Sequence, residues 1–586
     1  MFNPMHSFRA LRAAFACACL LLLACAASTQ AQTVTGTLQG TISDSNGAVV
    51  PGATILIRNV ETGQERTVTT NGEGFYLAPF LPLGKYNVTA TSKGFGNVQR
   101  EGVEVTLNQT YVSDFTLNPT VGDTVTVTTE VAPINTSNAE IKGSLTAQEI
   151  LDKPVANQGN FLTLAETFTG YQENPTSGQN NPTLSSGSSI NFNGTGTRGA
   201  TFQINGVNND DSSENQNRQG ASLSTIKEFQ VITNNFTAEF GRGYGAVVLV
   251  QTKSGTNDIR GDVYLYHNDS ALNAKSFFAH GPKPVNRRNQ YGFTTGFPIF
   301  KNNLFGFVSF DQVRRTGDLN YTRDVLLASE RTPANWFLTT PANNTPANRA
   351  FIQSVVDRFP AELAPNDSRS ARTFSGQVGI DQPLDDYSGR LDWNPTSDDN
   401  LFARWQYTRQ IFDNEDNIIG EATKQNNKQQ NIGMTWTHVF NPSTVGEFRY
   451  GLGLRTTLVG IKAGNDTPII RFTGSPVSGS IIGNAGAFPI NRWQTDHQFV
   501  YNLSKILGNH QVKTGTDIRR QQLDDNADNF SRGFYTFNAS CGGTNYGTAY
   551  NALLNGCVAT FQKGFGPFFL ENRAGEANFY FEDNWK

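Results

Sequence analysis

Apolar and polar residues alternate one for one over long stretches of the second half of the chain. In "TVGEFRYGLGLRT", Phe448, Tyr450, Leu452 and Leu454 alternate with Glu447, Arg449, Gly451, Gly453 and Arg455, so one face of an extended segment is apolar and the other polar or glycine. The same pattern recurs at Leu391 and Trp393 against Arg390 and Asp392, at Ala403, Trp405 and Tyr407 against Arg404, Gln406 and Thr408, and at Ala577, Phe579 and Phe581 against Asn578, Tyr580 and Glu582. A period of two is that of a β-strand, whose side chains point alternately to its two faces. Strands of roughly 10 such residues separated by polar loops predict an antiparallel barrel of the outer-membrane type. A soluble sandwich with one wet face alternates too, but strands of this length and a connection from about residue 315 to 385 exceed what a compact soluble sheet carries. Within that connection Phe351, Ile352, Val355, Val356 and Phe359 have helical spacing and predict a loop helix.

The first half has a different rhythm. Residues 34–118 read as short alternating strands punctuated by Asn46-Gly47, Pro51-Gly52, Asn71-Gly72 and Leu83-Gly84, the pattern of a small β-sandwich. A second unit, 119–255, opens with "DTVTVTTE", in which Thr124, Val125, Thr126 and Val127 form a short extended run that also reads as a linker strand. Helical amphipathicity follows around Phe161 to Phe168, and Arg198 and Gly199 precede an alternating strand ending at Asn205-Gly206. The unit closes with "FTAEFGRGYGAVVLVQTKSGTN"; the pattern breaks at Ser254-Gly255-Thr256-Asn257 and an aromatic strand begins after Gly261.

Composition agrees with a β-rich chain. Charged residues make up only 16%, while 56 glycines and 42 phenylalanines stand against 3 methionines, a balance that favours strands and turns over helices. With a net charge of −4 and no long basic run, nucleic acid is excluded as a partner class. Arg9 and Arg12 precede an apolar run from Ala13 to Ala27 and the small-x-small site Thr29-Gln30-Ala31, so residues 1–31 read as a signal peptide. The run is short for a spanning anchor, and Leu23-Ala24-Cys25 leaves a lipoprotein reading open. Export leaves Cys541 and Cys557 as a pair in a Gly/Asn-rich stretch, which reads as an extracellular loop disulfide; metal binding is the rival, without neighbouring histidines to support it.

"GFY" at Gly74–Tyr76 and "PLGKY" at Pro82–Tyr86 give the first unit a resemblance to the carboxypeptidase regulatory-like domain, a seven-stranded transthyretin-like sandwich. An enzyme reading fails at the residues. A zinc carboxypeptidase needs His-x-x-Glu, and none of the six histidines has Glu three positions on. The chain also lacks a G-x-S-x-G elbow and the Gly-Lys-Ser/Thr of a phosphate loop. No catalytic residue, metal site or cofactor is expected.

The second unit resembles the plug of a TonB-dependent outer-membrane receptor, in the group that carries an N-terminal regulatory-like sandwich. The matching residues are Asn205-Gly206-Val207, Ile226-Lys227-Glu228-Phe229, Ala238-Glu239-Phe240-Gly241 and Thr252-Lys253-Ser254-Gly255-Thr256. The resemblance implies that Thr124, Val125, Thr126 and Val127 are the box that engages a TonB-type energy-coupling protein of the inner membrane. Strand addition suits such a segment, because an extended backbone offers N–H and C=O groups to a partner's sheet edge. The Asn/Ser/Gln-rich loop 207–224 suits a polar lumen. Arg198, Asn205, Gly206, Glu239, Arg242 and Lys253 are the candidate plug residues; Glu239 and Arg242 read as an ordinary surface pair or as braces inside the lumen, ahead of ligand contacts.

The expected fold is therefore mostly β: a sandwich over 32–118, a mixed α/β plug over 119–255 and a transmembrane antiparallel barrel over 256–586, in the outer membrane with the sandwich in the periplasm. The resemblance implies capture of a siderophore, oligosaccharide or peptide at the cell surface and import by TonB-coupled plug rearrangement. The rival is an adhesion or surface-assembly protein of the same architecture. About eleven alternating strands, near 263, 291, 305, 388, 402, 433, 447, 497, 512, 534 and 579, are half of the 22 of plugged transporters, so an open, curved sheet cupping the plug is expected.

Overall fold

The computed structural model describes residues 35–119, 125–127, 140–153, 161–172 and 190–585, apart from 197, 214, 276, 278–282, 463, 465–466, 475–480, 484–487, 509 and 528–529. The signal peptide expected over 1–31 and Thr124 lie outside these residues.

The N-terminal unit is a sandwich of two sheets. Gly36–Asp44 is flanked by Phe75–Leu81 on one side and, in parallel, by the two short pieces Thr110–Val112 and Phe115–Leu117 on the other. Those two pieces are one strand interrupted at Ser113-Asp114, which reconciles them with the seven strands the resemblance implies. The facing sheet runs Glu65–Thr69, Thr54–Asn59, Gly84–Thr91, Val98–Val105 and finally Val125–Val127. Alternate residues of both sheets, among them Leu38, Ile42, Ile55, Ile57, Val88 and Leu117, are fully buried between them.

The second unit is built on a five-stranded sheet in the order Ile141–Thr146, Ile226–Asn234, Ala246–Thr252, Ala200–Ile204, Val207–Asn208. Helix Ala147–Asp152 starts from a capping box in which Thr146 and Glu149 satisfy each other's backbone N–H groups. The segment expected to be helical near Phe161 is a 3₁₀ helix, Phe161–Thr167, whose Phe161, Leu162, Leu164 and Ala165 are buried together; its burial extends around more than one face, which a tighter turn accommodates in a short piece.

The third unit is one antiparallel sheet of ten strands: Arg260–Asp269, Asn286–Phe300, Leu304–Asp324, Thr373–Trp393, Asp399–Asn414, Thr423–Asn441, Thr444–Ile461, Ile490–Leu507, His510–Ala527 and Phe569–Trp585. Each pairs with the next in sequence, and the first and last are not paired with each other, so the sheet is curved and open. One expected strand is corrected. The segment near 534, Phe534–Phe537, is four residues long and belongs to a separate small sheet with Ile469–Phe472, Ile481–Ile482 and Thr560–Gln562. Its Phe537 is buried in a hydrophobic cluster of the long connections, a destination that alternation over four residues cannot reveal. The expected connection 315–385 also shrinks to 325–372, because the flanking strands run 21 residues each and continue past the roughly 10 a bilayer requires.

Turns at 301–303, 394–398 and 442–443 lie at one end of the sheet, and the long connections at the other. The described residues of the long connections 325–372, 462–489 and 530–568 share a core in which helix Pro346–Val356 contributes Ile352, Val355 and Val356, and helix Ala549–Leu554 contributes Tyr550, Leu553 and Leu554. Phe472 and Tyr550 stack at 4.2 Å between ring centroids. These connections form a cap with its own interior. Cys541 and Cys557 are disulfide-bonded within it, Cα atoms 6.0 Å apart.

Candidate functional site

The large sheet is inverted relative to a soluble one. Its concave face buries Gln290, Asp311, Asp386, Arg404, Gln406, Asn431, Glu447, Arg449, Asp496 and Arg519, while Val263, Leu391, Trp405, Met434, Trp436, Phe448, Trp493 and Phe499 stand exposed on the convex face. A wall that is polar inside and apolar outside turns its oily face to lipid.

The second unit sits in this concavity and meets the wall through the loop 207–220. The Arg218 guanidinium donates to Asp496 at 2.8 Å and to the Asn208 carbonyl at 2.8 Å, with Arg218 and Asp496 nearly inaccessible to water. Arg455 from the wall pairs with Asp211, which also accepts from Gln494. Arg519 donates to Asn208 at 3.1 Å and to its strand neighbour Asp517 at 2.6 Å, and lies 3.8 Å from Asp210. The Asn208 amide donates to Gln498 at 2.8 Å, and Gln219 donates to Thr408 at 2.8 Å. Charges buried this deeply are tolerated because each is paired with an opposite charge.

Glycines in the wall make room for the loop. A Cβ on Gly451 would lie 2.4 Å from Val207 Cγ1, and one on Gly433 would lie 3.0 Å from Val207 Cγ2. These are the glycines that alternate with apolar residues on the polar face.

Comparison with known proteins identifies the barrel and the sandwich. Residues 251–586 match the outer membrane beta barrel domain. The chain belongs to this outer-membrane β-barrel family. Residues 37–118 match the carboxypeptidase regulatory-like domain. A curated relative, the TonB-dependent transporter Oar of Myxococcus xanthus, is 23% identical over 577 residues, 89% of this chain and 52% of Oar. The chain thus spans about half the length of that relative. Among solved structures, the outer membrane transporter YddB of Escherichia coli aligns at 12% identity, TM-score 0.47, over 76% of this chain and 56% of YddB. The ferric enterobactin receptor PfeA of Pseudomonas aeruginosa aligns at 16%, TM-score 0.43, over 76% of this chain and 55% of PfeA.

In an outer-membrane β-barrel the ten-stranded sheet is the membrane wall, the second unit is its plug, and the protein resides in the outer membrane. The sandwich lies at the short-turn end, beneath plug and wall. The Leu107 amide donates to Glu228 at 2.9 Å, Gln230 donates to the Leu107 carbonyl at 2.9 Å, and Lys227 donates to the Leu83 carbonyl at 2.8 Å. Leu83 and Leu107 pack with Ile232, Phe240, Val247 and Leu249 of the plug. Burial raises the Glu228 carboxyl to about 7, against the opposing pull of the Leu107 N–H and Lys227. The Asn257 amide, on the link from plug to wall, donates to the Glu61 carbonyl at 3.0 Å.

The structure distributes the sequence candidates rather than gathering them. Asn205, with φ +51°, donates to Thr252 and accepts from the Thr252 amide, both at 2.8 Å, and so clamps the end of the last plug strand. The Gly206 carbonyl faces Arg449 of the wall at 3.5 Å. Glu239 and Arg242 are not a mutual pair: Glu239 is buried and accepts from Thr237 at 3.1 Å, whereas Arg242 reaches Glu576 of the last wall strand at 3.5 Å. Lys253 lies 3.5 Å from Asp262, and Arg198 is exposed, its carbonyl accepting from Asn215 at 2.7 Å. Val125, Thr126 and Val127 form the outermost strand of the sandwich's larger sheet. The groups sequence reading missed are Asp211, Arg218, Arg455, Asp496 and Arg519. The available signal was charge on the glycine-bearing face of the wall strands, matched by charge inside the polar plug loop.

Among the described residues no cluster of His, Cys, Asp and Glu could hold a metal ion, and no helix is long and apolar enough to cross a membrane.

Proposed function

We propose that this chain works as an outer-membrane receptor that captures a ligand at the cap and imports it when a TonB-type energy-coupling protein, engaging Thr124–Val127, pulls on the plug. No reaction is catalysed. The observation that carries this reading is the chemistry of the plug–wall contact. Arg218 with Asp496 and Arg455 with Asp211 are joined across it by hydrogen bonds and ion pairs that water or a polar ligand can replace. A plug held through such groups can shift without exposing a large apolar surface, which an apolar interface would not permit. The relative named as a TonB-dependent transporter supports the same reading. Siderophore, oligosaccharide and peptide are the ligand classes to test.

The test substitutes Val125 and Val127 by proline, which removes two backbone N–H donors and blocks strand addition. The expected result is loss of binding to the periplasmic domain of the coupling protein and loss of uptake, with surface binding of ligand retained. Uptake or adhesion indifferent to both substitutions supports a non-transporting surface protein instead.

A further inference from the structure

We propose that Arg409 and Lys428 form a seat, on the outer surface of the wall, for the phosphate of a lipid headgroup in the leaflet on the cap side. The inference rests on the ten-stranded sheet being a membrane wall and is independent of whether the protein imports a ligand.

The convex face loses its apolar character along a single row. Toward the cap, the outward positions of Asp399–Asn414 are Leu401, Ala403, Trp405 and Tyr407, and the next is Arg409. On Thr423–Asn441 they are Trp436, Met434 and Ile432, followed by Gln430 and Lys428. On the flanking strands Tyr387 gives way to Asp385 and Leu454 to Thr456. The changes fall together, because Asp385 stands opposite Arg409, Arg409 opposite Lys428 and Lys428 opposite Thr456. Rings line the apolar side of the row: Phe310 and Tyr387 lie 5.3 Å apart between centroids, Tyr387 and Tyr407 6.3 Å, and Tyr407 and Trp405 6.4 Å. An aromatic band bordered by polar residues stands at the level of the lipid headgroups.

Like charges directly opposite each other destabilise a sheet, and among the described residues no carboxylate pairs with either cation. Asp385 is taken by Arg314 at 2.6 Å and Gln312 at 2.9 Å, and Asp413, nearer the cap, by Lys424 at 2.7 Å and Lys462 at 2.5 Å. Lys428 is exposed, and the Arg409 Nε is enclosed without a hydrogen-bond partner. A phosphate between them answers both needs. The guanidinium fork binds two of its oxygens side by side, the ammonium binds a third, and the repulsion is replaced by attraction to a shared anion. The location selects a lipid over a free ion. Further down the same two strands Ile432 stands opposite Trp405, so the acyl chains of a headgroup held at the row lie along apolar wall that a free anion does not use.

The experiment titrates the full chain, purified in detergent, with mixed micelles carrying lipid A, a diphosphorylated glycolipid, or the same lipid stripped of its phosphates. The wild type is expected to bind the phosphorylated lipid, and the double variant Arg409→Gln, Lys428→Gln to bind it more weakly by about tenfold or more. Lys505→Gln, which removes an exposed cation at the opposite end of the wall, should bind as the wild type does. Should the double variant fail to fold, Lys428→Gln alone, at an exposed position, carries the test with an expected loss of about threefold or more. Unchanged affinity in the folded variants, or a wild type that binds neither lipid or both equally, overturns the proposal. So does inorganic phosphate that displaces the lipid at equal concentration, which marks a bare anion site.

Discussion

Arg218 of the plug lies over Gly453 of the wall so closely that a Cβ on Gly453 would stand 1.9 Å from Arg218 Cζ. The missing side chain is what lets the guanidinium reach Asp496 at 2.8 Å. Arg218→Ala leaves the Asp496 carboxylate buried without its counter-ion, and loss of one partner of a buried pair costs about 3–5 kcal/mol. Gly453→Val is expected to act in the same direction by driving Arg218 aside. Denaturant unfolding in detergent, with protease protection of the loop 207–220 as a local readout, checks both; wild-type stability in either variant contradicts the packing described.

Docking of the sandwich to the plug is expected to weaken as pH rises. Glu228 titrates near 7 when docked, against an ordinary value of 4.5, because burial penalises its charge. Below about 4.5 it is neutral both docked and free and contributes nothing to a pH dependence. Between 4.5 and 7 only the docked form stays protonated, so docking loses stability progressively and the loss levels off above 7. Glu228→Gln should flatten this dependence. Exchange of the Leu107 amide, corrected for its intrinsic rate, measures it; equal protection at pH 5 and pH 8 in the wild type contradicts the assignment.

Residues 32–118 expressed alone are expected to unfold in one cooperative transition, since the core from Leu38 to Leu117 lies within the sandwich itself. Ile55, fully buried there, should cost about 2–5 kcal/mol when changed to alanine. Circular dichroism through a urea titration decides; a disordered spectrum for the wild-type fragment is the adverse result.

Removing the cap disulfide with Cys541→Ser is expected to destabilise the cap and leave the wall intact. A bridge between residues 16 apart in sequence confines the unfolded loop by about 3 kcal/mol on the chain-entropy account. Faster proteolysis within 528–568, at unchanged strand content, is the expected signature.

Much of the wall was legible in the sequence because its alternation is imposed by two solvents. Phe448, Tyr450, Leu452 and Leu454 face lipid and Glu447, Arg449 and Arg455 face the lumen, and each strand carries that record whatever its neighbours are. Phe534–Phe537 was misassigned to the wall because four residues of β character do not say which sheet they join, and only the packing of Phe537 in the cap core placed them. Helix Pro346–Val356 was visible because its apolar spacing is local; the helix Ala549–Leu554 packed into the same core was not, being too short for a periodic signal.

The polar interface divides the same way. Sequence determined that the loop 207–224 would be polar and that glycine and charge would share the inner face of the strands, since those are demands of a wet lumen. Which charge meets which was decided only in the tertiary structure: Arg218 and Asp496 are separated by 278 residues, and Asp211 and Arg455 by 244. The edge position of Val125–Val127 is of the same kind, because a short extended run pairs with whichever strand leaves an edge open, and the open edge at Val98–Arg100 exists only once the sandwich has folded.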